Sequence, residues 1–382
     1  MHRHEPPRTA DLARLRAHQG PGIATQVEHR FSRQSRSALA MDEDQDIWWS
    51  AGDEDEGDAP PVSTQVMLED ARSALASNDS PDIFFEQSVN PYRGCEHGCV
   101  YCYARPTHSY LNLSPGLDFE TKIIAKRNIA EVLRKELSSP SHRPSIVNIG
   151  SATDCYQPVE RELRLTRGVM QVMRDARHPF SLITKSSGVE RDLDLLGELA
   201  GNRLVAAYVT ITTLDAKLAR ILEPRAAAPY RRLRTIRALA QAGVPVGVSV
   251  APQIPFINED MEQVLIAASE AGATSAFYTV LRLPWELNDI MREWLVQHYP
   301  DRAARVLSRV QDLHGVNEAG RDAGLSYDSN YVSRMKGSGV WADLLRQRFH
   351  RTCEKLGLNR ERTELDLSQY RPALAKGQGV LF

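Results

Sequence analysis

The pattern with the clearest chemical meaning is a group of three cysteines, Cys95, Cys99 and Cys102, spaced C-x3-C-x2-C. Gly94 and Gly98 give this stretch the backbone freedom to bring three sulfurs toward one centre. In a reducing compartment, clustered cysteines bind metals or take part in redox chemistry more often than they form disulfides. The spacing therefore predicts a metal or iron-sulfur site with three protein ligands.

The residues alone leave three assignments open for this group. A structural zinc ion needs four ligands, and His97 or His108 would complete a Cys3His set, although His97 lies between two of the cysteines. The three thiols could also be a fortuitous cluster. A 4Fe-4S cluster normally takes four thiolates, so three would leave one iron open to another ligand and to chemistry. A zinc-stabilised binding protein without turnover therefore stands beside an iron-sulfur enzyme.

Composition limits the class of protein more than its function. The chain has 382 residues, 42% of them hydrophobic and 25% charged, with a formal net charge of -2. It has no apolar run long enough to span a bilayer, and its start lacks the apolar core of a secretory signal. We therefore expect a cytoplasmic protein with no membrane partner. The net charge gives no global argument for nucleic acid binding and leaves a local basic groove open.

From about residue 82 the sequence alternates short β-rich runs with amphipathic helical runs. The predicted strands are DIFFEQSV, SIVNIG, FSLITKS, LVAAYVTIT, VPVGVSVAP and SAFYTVLRL. The predicted helices are 128–138, 164–177, 191–200, 228–241, 260–271 and 286–298. Six βα units predict parallel strands, as in a barrel or a doubly wound sheet. In such barrels the chemistry lies on loops at the carboxyl ends of the strands, and the cysteines follow the first predicted strand.

Three parts of the chain differ in character. Residues 1–75 contain the acidic stretch MDEDQDIWWSAGDEDEGDAPP, which cannot bury enough apolar surface to fold alone, so we expect a mostly disordered, acidic-centred tail. Residues 76–300 carry the six βα units. Residues 301–382 are predicted to form a helical extension that ends in a loose tail.

The segment from Cys95 to Cys102, with Tyr101 before the last cysteine, resembles the C-x3-C-x-aromatic-C signature of the radical S-adenosylmethionine (SAM) superfamily. Residues from about 80 to 300 are also similar in segment order to the group related to spore photoproduct lyase, the DNA repair photolyase-like proteins. The resemblance implies an α/β fold with a partial (β/α)6 TIM-like radical SAM barrel. It further implies a 4Fe-4S cluster on the three cysteines and SAM bound at the open iron.

The resemblance also implies a reaction and partners. SAM would be cleaved reductively to a 5'-deoxyadenosyl radical that abstracts hydrogen from a substrate, with a flavodoxin or a ferredoxin-type protein as electron donor. Damaged DNA is a candidate substrate by analogy with the lyase, and a substrate other than nucleic acid is the alternative. The sequence leaves the oligomeric state open. It does exclude a second all-thiolate cluster, because only Cys155 and Cys353 remain.

SAM-contacting roles are expected for residues near the cysteines and at the ends of the second to fourth predicted strands. These are Tyr101, Ser151, Thr153, Asp154, Lys185, Ser186, Thr210, Thr212, Glu223 and Arg225. Most of them have a structural alternative: a polar loop or N-cap near the second strand, an ion pair for Lys185, strand propensity for Thr210 and Thr212, and an Arg-Glu pair that fixes a loop.

The remaining candidates concern the substrate. By the resemblance, Cys155 is a candidate catalytic hydrogen donor, and its alternative is an inert buried thiol. Tyr278 and Arg282 on the sixth strand are expected to point toward the substrate. Cys353 lies on an amphipathic pattern that predicts packing. Four arginines in RRLRTIRALAQAG are expected to form the solvated face of a helix, with a phosphate-contacting face as the alternative: Arg231, Arg232, Arg234 and Arg237.

Overall fold

The computed structural model describes residues 64–315, 326–327 and 329–372, together with residues 27 and 30. Its strands are β1 (Gln65–Glu69), β2 (Leu75–Ser77), β3 (Gln87–Val89), β4 (Tyr92–Arg93), β5 (Lys122–Lys126), β6 (Val147–Ile149), β7 (Phe180–Thr184), β8 (Val205–Thr210), β9 (Val246–Gln253) and β10 (Ser275–Val280). The main sheet has the order β10-β9-β8-β7-β6-β3-β2. Six of its strands, β3 and β6 to β10, pair in parallel, and β2 adds antiparallel to β3. This confirms the predicted α/β fold with a partial (β/α)6 barrel.

The helices connect the strands as the sequence pattern predicts. In the described part of the chain they are α1 (Leu117–Thr121), α2 (Ile129–Leu137), α3 (Glu160–Leu163), α4 (Leu165–Asp175), α5 (Leu193–Gly201), α6 (Ala216–Leu222), α7 (Pro229–Gln241), α8 (Met261–Glu270), α9 (Leu287–His298), α10 (Ala303–Leu313) and α11 (Gly339–Leu356). Short 3-10 helices cover Arg105–Leu111, Ser187–Asp192 and Leu367–Gln369. No helix among the described residues is both long and apolar enough to cross a membrane.

Side chains on the central strands alternate between an apolar outer face and a polar inner face. On β8, Val205, Ala207 and Val209 lie in the main hydrophobic core under the helices, so the alternation turns Tyr208 and Thr210 to the inner face. The neighbouring strands follow the same rule, which places a row of buried polar residues on the inner face: Ser88, Asn148, Ser181, Thr210 and Ser249. Polar side chains on the inner face can hydrogen-bond to a ligand, so the inner face is suited to bind one.

The C-terminal extension shares the core of the barrel. Phe349 and Cys353 on α11 belong to the same hydrophobic cluster as the strands, so Cys353 packs as predicted. The extension also covers the edge of β10, because the Val280 N–H donates to Met335 O (2.9 Å) and Asn359 exchanges hydrogen bonds with the backbone of Ala276 (2.8 and 2.9 Å). An otherwise open strand edge is thereby paired.

A second, smaller sheet has the order β1-β5-β4. The sequence pattern does not predict this sheet: residues 64–75 fall within the tail that is expected to be mostly disordered, yet β1 pairs with β5 over five residues. Four of the five β1 side chains are exposed, so no buried pattern marks the strand in the sequence. The rest of the predicted tail lies outside the described residues apart from residues 27 and 30, and so does the predicted loose end after residue 372.

Candidate active site

The three cysteines lie on the loop that follows β4. Cys95 and Cys99 are buried and Cys102 is half-buried. Backbone hydrogen bonds hold this cysteine loop (residues 94–102) from two sides: the Cys95 N–H donates to Phe119 O in α1 (2.9 Å), and the Val100 N–H donates to Leu222 O in α6 (3.0 Å). The loop is therefore fixed both to α1, later in the same connection, and to α6, which follows β8.

Two glycines give the cysteine loop its shape. Gly94 and Gly98 have φ values of +81° and +67°, the left-handed region that side chains rarely adopt. A Cβ on Gly98 would lie 2.7 Å from Glu120 Oε2 and 3.2 Å from Arg225 Nη2. Gly98 thus allows the loop to approach a carboxylate that is itself held in place.

Replacing Gly98 with alanine is expected to lower the free energy of unfolding by about 2–3 kcal/mol, because backbone strain adds to the clash with Glu120. Gly243→Ala is a matched control, since Gly243 has φ +76° but, apart from its chain neighbours, no atom within 4 Å of the place where a Cβ would lie. Strain alone should cost it about 1 kcal/mol. Denaturant unfolding measures both values, and equal losses for the two variants would contradict the close packing around the loop.

A buried network of charges lies behind the cysteine loop. Arg105 is fully buried, and its guanidinium donates to Gly98 O (3.0 Å) and Cys99 O (2.8 Å) and pairs with Glu120. Glu120 also pairs with Arg225 Nη2 (3.0 Å). Arg225 therefore holds the loop, since its guanidinium also donates to a loop carbonyl, and its predicted contact to SAM stays a prediction. Arg105 and Glu120 were not among the predicted site residues, although the position of Arg105 shortly beyond the last cysteine was a usable signal.

The thiols of the cysteine loop share one electrostatic environment. Burial raises the pKa of Cys95 well above its usual value, and Asp154 and the other two cysteines raise it further. Burial also raises the pKa of Cys99 to about 12, while Lys185 acts in the opposite direction. Ionising these thiols together requires positive charge nearby, and a cationic metal centre provides it.

The zinc alternative does not fit the histidines. His97 Nδ1 lies 3.4 Å from Asp154 Oδ2, and His108 Nε2 lies 3.1 Å from Lys122 O, so one ring nitrogen of each histidine already has an oxygen partner. Within the described ranges, no group of three or more His, Cys, Asp or Glu side chains is arranged to hold a single metal ion. Three thiolates are fewer than the four ligands of a structural zinc ion, whereas they leave one iron of a 4Fe-4S cluster open to a further ligand, so the donor set fits a cluster better than zinc.

Asp154 connects the ends of β6 and β7. Its carboxylate accepts hydrogen bonds from Thr184 Oγ1 (2.7 Å) and from the backbone N–H groups of Lys185 (2.7 Å) and Tyr156 (2.9 Å). Burial alone would raise the pKa of Asp154, but His97 and these hydrogen bonds lower it overall. Protein donors therefore occupy the carboxylate oxygens that are predicted to contact SAM.

Tyr101 is held by a second buried network. Its hydroxyl lies 3.0 Å from Thr212 Oγ1 and donates to Glu223, which also accepts from Thr212 (2.6 Å) and pairs with Arg232. Glu223 is 2% exposed and Arg232 is 1% exposed. The predicted place of Arg232 on a solvated helix face is wrong, because α7 turns it toward the sheet, where it donates to Thr210 O (3.0 Å). Glu223 therefore pairs with Arg232, not with the nearby Arg225.

Two predicted SAM contacts have local structural partners. Thr153 Oγ1 donates to Tyr92 O (3.0 Å), which ties the β6 loop to β4. Ser186 Oγ accepts a hydrogen bond from the Gly188 N–H (3.0 Å) and is the N-cap of the 3-10 helix Ser187–Asp192. Polar loop and N-cap roles are the structural alternatives expected for such residues.

Two other predicted contacts, Ser151 and Thr210, lie at the ends of β6 and β8. Ser151 is half-buried, and its hydroxyl accepts a hydrogen bond from Asn90 Nδ2 (3.2 Å). Thr210 shares the inner face of β8 with Tyr208, as the alternation of the strand predicts. Both hydroxyls lie at the carboxyl ends of barrel strands, where a ligand would be held.

Lys185 follows β7 and presents its ammonium group beside Tyr101, 5.8 Å from the ring centroid. In the part of the chain that the structure describes, this ammonium makes no hydrogen bond or ion pair. Burial alone would lower the pKa of Lys185, but the charges of Cys99, Glu223 and Asp154 raise it overall. The structure thus has a charged, unpaired cation next to the cysteine loop.

Cys155 lies in the hydrophobic core and is 0% exposed. Its sulfur is 3.7 Å from Ile183 O and 3.0 Å from the place where a Cβ on Gly150 would lie, and burial raises its pKa well above the usual value. This enclosure matches the inert-thiol alternative, so we do not assign Cys155 as a hydrogen donor.

The two substrate-side candidates of the sixth strand point in different directions. Tyr278 is buried against Phe349 of α11 (ring centroids 4.8 Å apart), so it faces the C-terminal extension and not the inner face. Arg282, after β10, lies over the ring of Tyr103 (5.0 Å). Tyr103 follows Cys102 and is 49% exposed, and its hydroxyl donates to Ser151 O. Tyr103 was not among the predicted site residues, although it adjoins the last cysteine.

Residues 89–267 match the family model of the Radical SAM superfamily. The uncharacterized proteins Rv2578c of Mycobacterium tuberculosis and Mb2609c of Mycobacterium bovis are each 38% identical over 233 residues, which is 60% of this chain and 67% of theirs. The uncharacterized protein MJ0683 of Methanocaldococcus jannaschii is 25% identical over 213 residues, 56% of this chain and 76% of its own.

Among solved structures, a spore photoproduct lyase mutant with bound AdoMet and dinucleoside spore photoproduct has a TM-score of 0.50 to this chain. The sequence identity is 16%, and the match covers 77% of this chain and 80% of that chain. At this identity the likeness shows a common fold.

Proposed function

The chain belongs to the radical SAM superfamily of enzymes, and on this basis we propose that Cys95, Cys99 and Cys102 hold a 4Fe-4S cluster for the reductive cleavage of SAM. When bound, the cluster supplies the electron that splits SAM to methionine and a 5'-deoxyadenosyl radical, which abstracts hydrogen from the substrate. One observation carries the proposal: three thiols lie on one loop whose backbone is held by hydrogen bonds from both sides, and an unpaired cation lies beside it.

The protein's contribution at the cluster is to fix the ligands and to exclude water. Arg105 and Arg225 hold the loop through its carbonyl groups, and Glu120 joins the two guanidinium groups. Because Arg105 and Glu120 are fully buried, this framework keeps solvent from the back of the loop. Cys102 is the more exposed ligand, and we propose its side of the loop as the approach for a flavodoxin or ferredoxin-type electron donor.

We propose that Lys185 binds the carboxylate of SAM. Its charge is unpaired and lies close to Tyr101 and Cys99, where the methionine part of a cofactor bound at the open iron would be. Ser151 and Thr210 are the remaining candidates for polar contacts to SAM. Tyr101, Thr153, Asp154, Ser186, Thr212, Glu223 and Arg225 support the site through the hydrogen bonds described above.

The substrate would bind between the cysteine loop and the inner face of the sheet, where Thr210 and Ser249 lie. Damaged DNA is a candidate, since the lyase of the same fold binds a dinucleoside photoproduct. The fold alone carries this analogy, so a substrate other than nucleic acid is the alternative. Ultraviolet-irradiated DNA, incubated anaerobically with the enzyme, SAM and reductant, separates the two through loss or persistence of the lesion.

The SAM proposal has a direct test. Anaerobically reconstituted protein, reduced with dithionite and mixed with SAM, should release 5'-deoxyadenosine, as measured by chromatography. Addition of SAM should also change the electron paramagnetic resonance spectrum of the reduced cluster. A cluster that forms but neither responds to SAM nor yields 5'-deoxyadenosine would overturn the proposal.

A further inference from the structure

Arg282 is a second unpaired cation at the mouth of the barrel. Its guanidinium is half-buried and lies 5.0 Å from the ring centroid of Tyr103, and this cation-π contact is its one direct partner among the described residues. Burial lowers the pKa of Arg282 from its ordinary value, which reflects charge removed from water without full compensation. Such a group costs free energy until an anion approaches it.

Asp82, the acidic side chain near Arg282, is already paired with another arginine. Asp82 makes a two-point ion pair with Arg334 (2.6 and 2.7 Å), and both side chains are 12% exposed. Arg334 also lies over the ring of Tyr331 (4.5 Å). This pair joins the segment before β3 to the segment after Ser326, so Arg282 is enclosed beside a carboxylate that does not neutralise it.

Arg282 and Lys185 contact two different tyrosines that flank Cys102. The Tyr103 hydroxyl donates to Ser151 O at the end of β6, and its ring contacts Arg282 after β10. Lys185, after β7, lies beside the ring of Tyr101 instead, 5.8 Å from its centroid. The site thus has two separate cations, and the carboxylate of SAM accounts for one of them.

We propose that Arg282 binds an oxyanion of the substrate, a phosphate or a carboxylate, and thereby selects an anionic substrate for this enzyme. A guanidinium suits either group because its parallel N–H donors match two oxygens. The inference rests on the proposed function, because that function assigns Lys185 to the carboxylate of SAM and leaves Arg282 for the substrate. It does not depend on DNA as the substrate.

The test uses the full chain and three probes: sodium phosphate, sodium acetate and, at equal ionic strength, sodium chloride. Phosphate, acetate or both should raise the Tm of the native protein by about 2 °C relative to chloride, because an anion that binds the folded state stabilises it. Arg282→Gln should lose this rise in Tm. Arg282→Lys keeps the charge but lacks the parallel N–H donors, so it should show part of the rise. Arg305→Gln is the matched control, since Arg305 also stacks on an aromatic ring (Phe256, 4.0 Å) and should leave the rise intact.

A second readout separates this inference from the proposed function. Without substrate, Arg282→Gln should release 5'-deoxyadenosine from SAM at a rate within about 2-fold of native, whereas Lys185→Gln should lose most of this activity while keeping its anion response. A response to phosphate alone, acetate alone or both supports the proposal and identifies the anion. If neither salt exceeds chloride, or if Arg282→Gln responds like the native protein, the inference is wrong. Failure of the native protein to cleave SAM would refute the proposed function and leave the anion result to be judged separately.

Discussion

Protein in which Cys95, Cys99 and Cys102 are all replaced by alanine is expected to be colourless, to bind no iron after anaerobic reconstitution and to form 5'-deoxyadenosine only at background. In the proposed site these three thiols are all of the cluster's protein ligands, so their removal leaves the protein with no ligand for iron. Iron and sulfide analysis, the visible absorption spectrum and the SAM cleavage assay measure the three effects.

Cys155→Ala is the matched control for this triple variant. Cys155 is also a buried cysteine, but it packs in the hydrophobic core and is not on the cysteine loop. We expect the Cys155 variant to keep its iron and its brown colour. Iron retained by the triple variant, or lost equally by both variants, would contradict the assignment of the three ligands.

Much of the fold could be predicted because the barrel strands carry a strong local signal. Val205, Ala207 and Val209 alternate with residues of the inner face, and helices of ordinary length separate such runs. The cysteine spacing was equally local, since three ligands on one loop need no knowledge of tertiary structure. The small sheet carried no such signal, because β1 is mostly exposed and is defined by its pairing with β5.

The support of the site could not be predicted, because it depends on which charged residues meet after folding. Arg231 and Arg232 are neighbours in the sequence, yet Arg231 is half-buried and Arg232 is 1% exposed. Glu223 and Arg225 are close enough in sequence to suggest a pair, but each binds a different residue. Similarly, the resemblance suggested an active role for Cys155 on the loop after the second predicted strand, while its sulfur packs in the hydrophobic core.

The buried pair of Glu223 and Arg232 gives the largest expected effect on stability. Arg232→Met should lower the free energy of unfolding by about 3–5 kcal/mol, because it leaves the Glu223 carboxylate buried without its partner. Arg231→Met is the matched control on the same helix: Arg231 lies 3.6 Å from Glu190 in a half-exposed pair, so its loss should be below about 1 kcal/mol. Denaturant unfolding at pH 7 measures both.

Two further measurements separate an uncompensated charge from simple loss of packing. The double variant Arg232→Met/Glu223→Gln should recover most of the lost stability, since the neutral amide can still accept from Tyr101 and Thr212.

Burial alone would raise the pKa of Glu223, but Arg232 and Lys185 lower it overall from its ordinary 4.5. The stabilisation from the pair is therefore present above about pH 4.5 and is lost as the pH falls through the lowered pKa, so the gap between native protein and Arg232→Met should narrow in acid. A gap independent of pH, with no recovery in the double variant, would mean that Arg232 acts through its packed side chain and not through its charge.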